Sequence, residues 1–268
     1  MGAVSDTSLV FRKVGADPEA LFYSRSEKII VPAYQLCGGS SAYNSWIGTD
    51  GHSITAELRP KPNRNVLMVL ADLANALGIV KQTLDNLNQR SQLDLVMVAQ
   101  PIFRSEYLGG HVHLSYWYPP TLHDSNLGHR FASVYEYIRM FLVPLHNQFD
   151  LDRSDFSWRL QPSPKGRSPR MGFKGARIEF RKPGTWLRSP ALAYAYLGLS
   201  KLAILNFPEL PKTETRQAYV NSLQTMKKTT SDLRTLPSVV DHVLRNFALG
   251  DEEYPTLVDF AAWKKVIE

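Results

Sequence analysis

The sequence predicts an α+β fold built around a mainly antiparallel sheet. Segments with strand character dominate the first half of the 268 residues, and helical segments dominate the second half. The alternating strand–helix units that produce a parallel sheet are not seen. Several strand segments alternate apolar and polar residues, the pattern of a sheet that packs one face against a core.

The composition indicates a globular protein with ample material for a core. Apolar residues make up 44% and charged residues 21% of the chain, which excludes wholesale disorder. The net charge of +6 favours anionic partners such as nucleotides or phosphates, but it is too dilute to indicate nucleic acid. The single cysteine, Cys37, excludes a multi-cysteine metal site and suits a reducing compartment. With no long unbroken apolar run and no secretory leader, we expect a soluble, cytoplasmic protein without a membrane span.

Most of the first half is predicted to form strands. Two of them are expected to flank a turn at Gly15–Glu19, a segment that contains both Gly and Pro. The segment Ser53–Arg59 alternates strictly between apolar and polar residues, as a half-buried strand does. The expected strands are 8–14, 21–23, 28–31, 43–47, 53–59, 93–100, 111–117 and 176–182.

Helices are predicted where apolar residues recur every three or four positions. The first is expected to begin at Asn65 and to end at Gly78. A buried helix is expected after Ser189-Pro190, a pair suited to the N-cap and the first helical position. A loop rich in Pro, Ser and basic residues is expected to be mobile at 161–174. The later helices are expected at 128–147, at 191–205 and, as two or three segments, within 213–268.

Three predicted strands carry ionisable residues at alternate positions, and alternate residues of a strand share one face. These residues are Glu57 and Arg59, His111 and His113, and Arg177, Glu179 and Arg181. A solvated sheet face explains any one set, but two histidines two residues apart are unusual there. An R-x-E-x-R strand places two guanidinium groups beside a carboxylate, as phosphate and metal sites do. Together with the carboxylates of Asp17 and Glu19, these residues could hold Mg²⁺ and bind phosphate oxygens.

These motifs, in this order, resemble those of the glutamine synthetase superfamily. The run Arg177–Arg181, followed by a Pro-started buried helix, resembles the R-x-E-x-R strand of these enzymes. The run Gly109–Ser115 resembles their G-x-H-x-H strand. Gly15–Glu19 and Asp50–Pro60 are similar to segments of the phage-type carboxylate–amine ligases (COOH–NH2 ligase type 2), an amidoligase branch of the superfamily. The resemblance extends from residue 15 to about residue 205.

The resemblance implies the curved, mainly antiparallel sheet of the glutamine synthetase-like catalytic fold, with helices packed on its outer face. It implies a catalytic core at residues 1–210 and a C-terminal helical extension packed on the core at 211–268. The implied activity is an ATP-dependent carbon–nitrogen ligase: ATP phosphorylates a carboxylate, and an amine attacks the acyl phosphate to form an amide. The implied cofactors are ATP and Mg²⁺ or Mn²⁺. The implied substrates are a small-molecule or peptide carboxylate, or a modified nucleotide, and an amine; a phage-encoded member would act in the host cytoplasm.

The resemblance also implies a set of metal ligands on the polar face. Glu179 resembles the central metal carboxylate of the R-x-E-x-R strand. Glu57 resembles a second metal ligand and is also expected to be a catalytic residue. Glu19 and Asp17 resemble carboxylates of the first-strand metal motif. That motif is E-x-E in glutamine synthetases, whereas this chain has Asp17-Pro18-Glu19, so the number of metal ions is left open.

The remaining implied roles concern cationic residues and histidines. Arg177 is similar to the arginine that meets nucleotide phosphate, and Arg181 to the one that holds the substrate carboxylate or the transferred phosphoryl group. His111 or His113 would lie beside the metal or substrate, with His111 favoured as catalytic and His113 as cofactor-binding. Arg170 is expected to clamp phosphate from the basic loop, in which two other basic residues are alternatives.

Two other functions stay open at this point. A catalytically inactive member of the same fold would bind nucleotide or a partner protein through the same arginines. The pair His111 and His113 also suggests a metal-dependent hydrolase, which needs further ligands from later strands. Residues 150–205 contain no histidine, and this counts against the hydrolase.

Overall fold

A computed structural model of the chain describes residues 10–37, 46–49, 54–117, 142, 170–172, 175–181, 183–205, 231–246 and 255–268. The expected helix at 128–147 falls almost wholly outside the described residues, and the expected domain boundary after residue 210 lies outside them entirely. The strands are β1 (Val10–Ser24), β2 (Ile29–Val31), β3 (Ile47–Thr49), β4 (Ala56–Leu58), β5 (Leu95–Val98), β6 (Ile102–Phe103), β7 (Glu106–Tyr107), β8 (Gly110–Trp117), β9 (Arg170–Gly172) and β10 (Gly175–Phe180). The α-helices are α1 (Ala33–Cys37), α2 (Val66–Arg90), α3 (Pro190–Leu205), α4 (Leu236–Asn246) and α5 (Phe260–Lys264), and Ser231–Leu233 forms a 3-10 turn.

The main sheet is open, and the strand pairs that the structure describes are antiparallel. Its strands follow the order β3-β4-β1-β8-β10-β9, while β2 and β5 pair with the C-terminal part of β1. Strands β6 and β7 form a separate hairpin. The predicted α+β class and antiparallel sheet are therefore confirmed.

The longest strand, β1, corrects one prediction. The segment Gly15–Glu19 is not a turn but the middle of a 15-residue strand. Pro18 is tolerated there because the even-numbered amides of β1 point toward the side of the sheet that holds β4, where the Val14 N–H donates to the carbonyl of Asn63 in the segment after β4. Strand β4 pairs with β1 only at Glu19 and Ala20, so the missing N–H of Pro18 costs no hydrogen bond with that strand.

Helices α2 and α3 cover one face of the sheet, and both contact β1. Helix α2 begins at Asn65, whose side chain accepts a hydrogen bond from the Leu67 N–H. The expected end at Gly78 is wrong: the helix continues to Arg90, because Val80 and Leu84 are buried in the core beyond it. Burial of these residues offsets the cost of about 1 kcal/mol for a glycine inside a helix. Helix α3 begins at Pro190 as predicted, with the Ser189 hydroxyl accepting from the Leu192 N–H.

Two other boundaries differ from the predictions. Strand β4 is only three residues long, shorter than the expected strand at 53–59. Part of the expected mobile loop, Arg170–Gly172, is a strand that pairs with β10. Backbone pairing with a neighbouring strand is not visible in a loop-like composition, so the sequence could not reveal this.

Helix α2 is the one helix in the described part of the chain that is long and apolar enough to cross a membrane by length and composition. A core helix passes it as well. Nine of its residues are buried, and it packs against α3, α5 and the sheet. These contacts match a helix that belongs to the protein core.

The two faces of the sheet differ in polarity, and β1 shows this most clearly. Its residues Val14, Ala16, Ala20 and Phe22 join the main core with the apolar residues of β8 and β10. Its odd-numbered residues Asp17 and Glu19 lie on the opposite face. Farther along that face, Leu21 and Tyr23 form a small second core with Phe103 of the β6–β7 hairpin and two neighbours. The part of the second face that carries Asp17 and Glu19 therefore lies outside both hydrophobic cores.

Candidate functional site

The polar face assembles the ionisable residues of four strands into neighbouring positions. Glu19 on β1 lies directly opposite Glu57 on β4. Asp17 lies opposite His111 on β8. Residues directly opposite each other in an antiparallel pair share one face of the sheet. The sequence indicated the polar side of each strand, and the strand order brings these sides together.

The polar face continues on β10, in the next row along the strands. His113 lies opposite Glu179 in the pairing of β8 with β10. Arg181 follows Glu179 by two residues and contacts it, with 3.3 Å between the Arg181 Nη1 and Glu179 Oε1 atoms. The side chain of Arg181 is 38% exposed, so its guanidinium group is accessible beside the carboxylate.

Asp17 lies between the two imidazole rings. Its Oδ1 atom is 3.2 Å from Nδ1 of His111, and its Oδ2 atom is 3.0 Å from Nε2 of His113. Even so, the buried Asp17 Oδ1 and His113 Nε2 atoms have no aligned hydrogen-bond partner among the described residues. Buried polar atoms almost always have a partner, so these two atoms indicate a place for a bound group.

Three side chains converge closely enough to hold one metal ion. Asp17, His111 and Glu179 each offer a ligand atom, and these atoms lie within 4.8 Å of one another. This is the one such set of three or more acidic, histidine or cysteine residues among the described residues. Two carboxylates and an imidazole suit Mg²⁺, Mn²⁺ or Zn²⁺. Together with the buried Asp17 oxygen that lacks an aligned hydrogen bond, this donor set fits a divalent cation.

The charges of this cluster shift the pKa values of its members. Burial alone would raise the pKa of Asp17, but contact with His111 and His113 holds it well below its usual range. For His111, burial would lower the pKa, and the neighbouring carboxylates of Asp17 and Glu19 outweigh this effect and raise it. The cluster thus keeps its aspartate ionised and attracts positive charge.

Glu19 is fixed by the glycine that precedes β8. Its Oε2 atom accepts a hydrogen bond of 2.5 Å from the Gly109 N–H, and its own N–H donates to the Gly109 carbonyl at 2.8 Å. Its Oε1 atom lies 3.9 Å from Nε2 of His111. Glu19 therefore borders the set of three ligands, with one oxygen committed to the backbone.

The pair Gly109-Gly110 is needed for close packing around His111. A Cβ atom at Gly109 would lie 2.3 Å from the Nε2 atom of His111. A Cβ atom at Gly110 would lie 2.5 Å from both the Gly184 carbonyl oxygen and the Trp186 ring. The Trp186 indole N–H also donates to the Gly110 carbonyl at 2.8 Å. The two glycines let an imidazole and an indole approach the backbone from different sides, a role that the sequence motif alone did not identify.

Glu57 forms an ion pair with Arg59, which lies on the same face of the sheet. The Arg59 Nε donates to Glu57 Oε1 at 2.5 Å, and Nη2 donates to the Thr49 carbonyl at 3.2 Å. Sequence reasoning placed Arg59 on the polar face but assigned it no role. The spacing of two residues between Glu57 and Arg59 was the signal that could have paired them.

Arg177 and Arg170 occupy the next position along the strands. Ser115 of β8 lies opposite Arg177, which lies opposite Arg170 of β9. Lys13 of β1 completes this row, since it lies opposite Ser115. The backbone register therefore aligns three basic residues next to the row that contains His113 and Glu179.

Fold and site together define a class: an α+β protein with a candidate metal centre on the polar face of an antiparallel sheet. No protein-family model matches the chain, and no curated protein is similar to it. One solved structure, described as a novel glutamine synthase homologue, is similar at 18% identity with a TM-score of 0.41. The similarity covers 89% of this chain and 66% of the other chain. A likeness this distant carries no argument about family or function.

Proposed function

We propose that this protein is a divalent-cation-dependent carboxylate–amine ligase that uses ATP to form an amide bond. The observation that carries the proposal is the convergence of Asp17, His111 and Glu179 beside Arg181. The order of the sequence motifs, which resembles the amidoligases of the glutamine synthetase superfamily, supports the same reaction. The proposed acid is a small molecule, a peptide or a modified nucleotide, and the proposed location is the cytoplasm.

The proposed reaction has two steps. In the first, a substrate carboxylate oxygen attacks the γ-phosphorus of ATP, the bond to the β–γ bridging oxygen breaks, and ADP leaves. In the second, an amine nitrogen attacks the carbonyl carbon of the acyl phosphate, inorganic phosphate leaves, and the nitrogen loses a proton. Phosphoryl transfer depends mainly on positioning and on neutralisation of charge, and this is what the residues of the polar face would supply.

Asp17, His111 and Glu179 would hold the cation. When bound, a Mg²⁺ or Mn²⁺ ion neutralises phosphate charge and orients the transferred group. Arg181, accessible beside Glu179, would hold the substrate carboxylate or the phosphoryl group by charge-assisted hydrogen bonds. Arg177 and Arg170 lie in the row of the sheet next to His113 and Glu179 and would bind the remaining phosphates of the nucleotide. His113 would contact the nucleotide beside them.

A metal-dependent hydrolase is the second candidate. It is favoured by one observation: the proposed cation ligands include an imidazole and two carboxylates, with His113 3.0 Å from Asp17. A set of three protein ligands that leaves a position for water is typical of catalytic zinc. A hydrolase would release its product without ATP and would retain zinc on purification.

The deciding experiment incubates the protein with ATP, Mg²⁺ and a panel of acids and amines, and measures ADP release together with amide products by mass spectrometry. We expect both products with the correct pair of substrates, and loss of both in Glu179→Gln, which removes one charged ligand. Asp94→Asn is the matched control because Asp94 forms an exposed ion pair with Arg25. Full ADP release and metal binding by Glu179→Gln would contradict the proposed centre. ATP binding without turnover across the panel would favour the inactive member, and hydrolysis in a parallel incubation with ester or phosphate substrates and no ATP would favour the hydrolase.

A further inference from the structure

We infer that Arg59 takes the place of a second divalent cation beside Glu57, so that the polar face binds one metal ion and Glu57 is not a metal ligand. This inference rests on the metal centre of the proposed function. It separates Glu57 from Asp17, His111 and Glu179, whose ligand atoms lie within 4.8 Å of one another. Arg59 then acts as a positioning residue through its ion pair with Glu57.

The first step of the argument is the charge at β1 and β4. Glu19 and Glu57 lie directly opposite each other, and both are buried. Two carboxylates in that position repel each other, and burial strengthens the repulsion because the local dielectric constant is low. A positive charge is required beside them. In a two-metal site a second cation meets this requirement.

The second step is that Arg59 already supplies that charge. Its Nε atom lies 2.5 Å from Glu57 Oε1, and its side chain and that of Glu57 are 24% and 11% exposed. A second donor of the same guanidinium group binds the Thr49 carbonyl at 3.2 Å. The guanidinium group is therefore anchored at two points and is held at the carboxylate, where a metal ion would otherwise bind.

The third step is that the backbone is shaped to accept this guanidinium group. Gly48 of β3 lies opposite Glu57 in the sheet. A Cβ atom at Gly48 would lie 2.6 Å from Nη1 of Arg59 and 3.1 Å from its Cζ atom. A side chain at this position would displace the guanidinium group, so the absence of one lets it lie against the strand.

Glu19, the other expected ligand of a second ion, is also committed to the protein. One of its oxygens accepts the Gly109 N–H at 2.5 Å. The two carboxylates that would have to hold a second ion are thus bound to a guanidinium group and to a backbone amide. In the set of three ligands on β1, β8 and β10, by contrast, one buried oxygen of Asp17 lacks an aligned hydrogen bond.

The test counts bound Mn²⁺ ions by electron paramagnetic resonance, in which bound Mn²⁺ is measured as the loss of the free-ion signal. Wild type, Arg59→Met, Arg59→Met/Glu57→Gln and Gly48→Ala are compared at equal protein concentration. Arg59→Met removes the charge and keeps an apolar stem, while Gly48→Ala keeps the charge and displaces it. Arg25→Met and Gly78→Ala are matched controls, because Arg25 forms a distant exposed ion pair and a Cβ atom at Gly78 meets no atom within 4 Å.

We expect Arg59→Met to bind one Mn²⁺ ion more than wild type, and the added Glu57→Gln change to remove that extra ion. Gly48→Ala, in which a flexible side chain can shift, is expected to bind the extra ion more weakly than Arg59→Met does. Equal counts in wild type and Arg59→Met would overturn the inference, as would two ions in wild type with one of them lost in Arg59→Met/Glu57→Gln. The readout is the difference in the number of bound Mn²⁺ ions between variant and wild type. It is therefore distinct from a wild-type count of zero, which would contradict the metal centre of the proposed function.

Discussion

A single methyl group at Gly109 tests whether the position of His111, and not only its charge, builds the metal centre. In Gly109→Ala the new Cβ atom would lie 2.3 Å from Nε2 and 2.9 Å from Cδ2 of His111. The side chain of His111 is 7% exposed, so the ring has little room and must turn away. The backbone N–H that binds Glu19 is retained, and no charge changes.

The expected magnitude follows from the overlap. Forcing one extra carbon into a packed site costs typically about 1–3 kcal/mol. Without metal, the ring relieves the overlap by leaving its position beside Asp17. Metal binding must bring the ring back against the methyl group, so that cost appears in the binding free energy. This corresponds to a loss of roughly 5- to 150-fold in Mn²⁺ affinity.

The assay is calorimetric titration of Mn²⁺ into wild type, Gly109→Ala and Gly78→Ala, with a urea unfolding curve for each protein. Gly78→Ala is expected to keep the wild-type affinity and to raise the free energy of unfolding by about 1 kcal/mol, since alanine is the better helix former. A folded Gly109→Ala protein with wild-type Mn²⁺ affinity would refute the reasoning. It would show that the His111 ring does not have to occupy its position to bind metal.

Two further predictions concern stability. Because the pKa of His111 is raised and that of Asp17 lowered in the folded protein, the metal-free protein should gain most stability over His111→Gln between about pH 4 and 6.5. That gain should be lost as the pH rises through the raised pKa of His111; a constant difference in urea midpoint from pH 5 to 9 would contradict this. The second concerns the buried ion pair of Lys201 and Asp232, with 2.8 Å between Nζ and Oδ2. Asp232→Ala should lower the free energy of unfolding by about 3–5 kcal/mol because it leaves a buried ammonium group unpaired, whereas a loss below 1 kcal/mol would show that Lys201 finds water or another partner.

The polar side of each strand could be predicted because alternation is a local property of the chain. The spacing of His111 and His113 is enough to place both on one face of β8. Which strands become neighbours depends on contacts between distant segments, and no local pattern encodes them. The pairing of Asp17 with His111 is therefore a result of the structure, although each residue had been singled out separately.

The errors at Pro18 and Gly78 have a common physical origin. Both residues disfavour regular structure locally, and the sequence therefore predicts a turn and a helix end. In the structure the missing amide of Pro18 lies where the neighbouring ladder is interrupted. Gly78 lies inside a helix because the burial of Val80 and Leu84 stabilises the helix beyond it. Tertiary burial outweighs a local preference of about 1 kcal/mol in the helix.

Arg59 shows a different limit. Its spacing from Glu57 was visible in the sequence, but a charged residue on a half-exposed strand is most often only solvated. The depth of Glu57 and the contact of the guanidinium group with the strand at Gly48 depend on β3, which is a short strand of three residues. The role of Arg59 therefore follows from packing and could not be inferred from composition or periodicity.

The central claim is that Asp17, His111 and Glu179 bind one divalent cation on the polar face of the sheet. Anomalous diffraction from a crystal soaked in Mn²⁺ tests it most directly, because it locates the ion independently of any substrate. The account predicts a single strong peak within coordination distance of these three side chains, and none between Glu19 and Glu57. A peak beside Glu57, or no peak at the three ligands in a crystal with bound Mn²⁺ elsewhere, would contradict it.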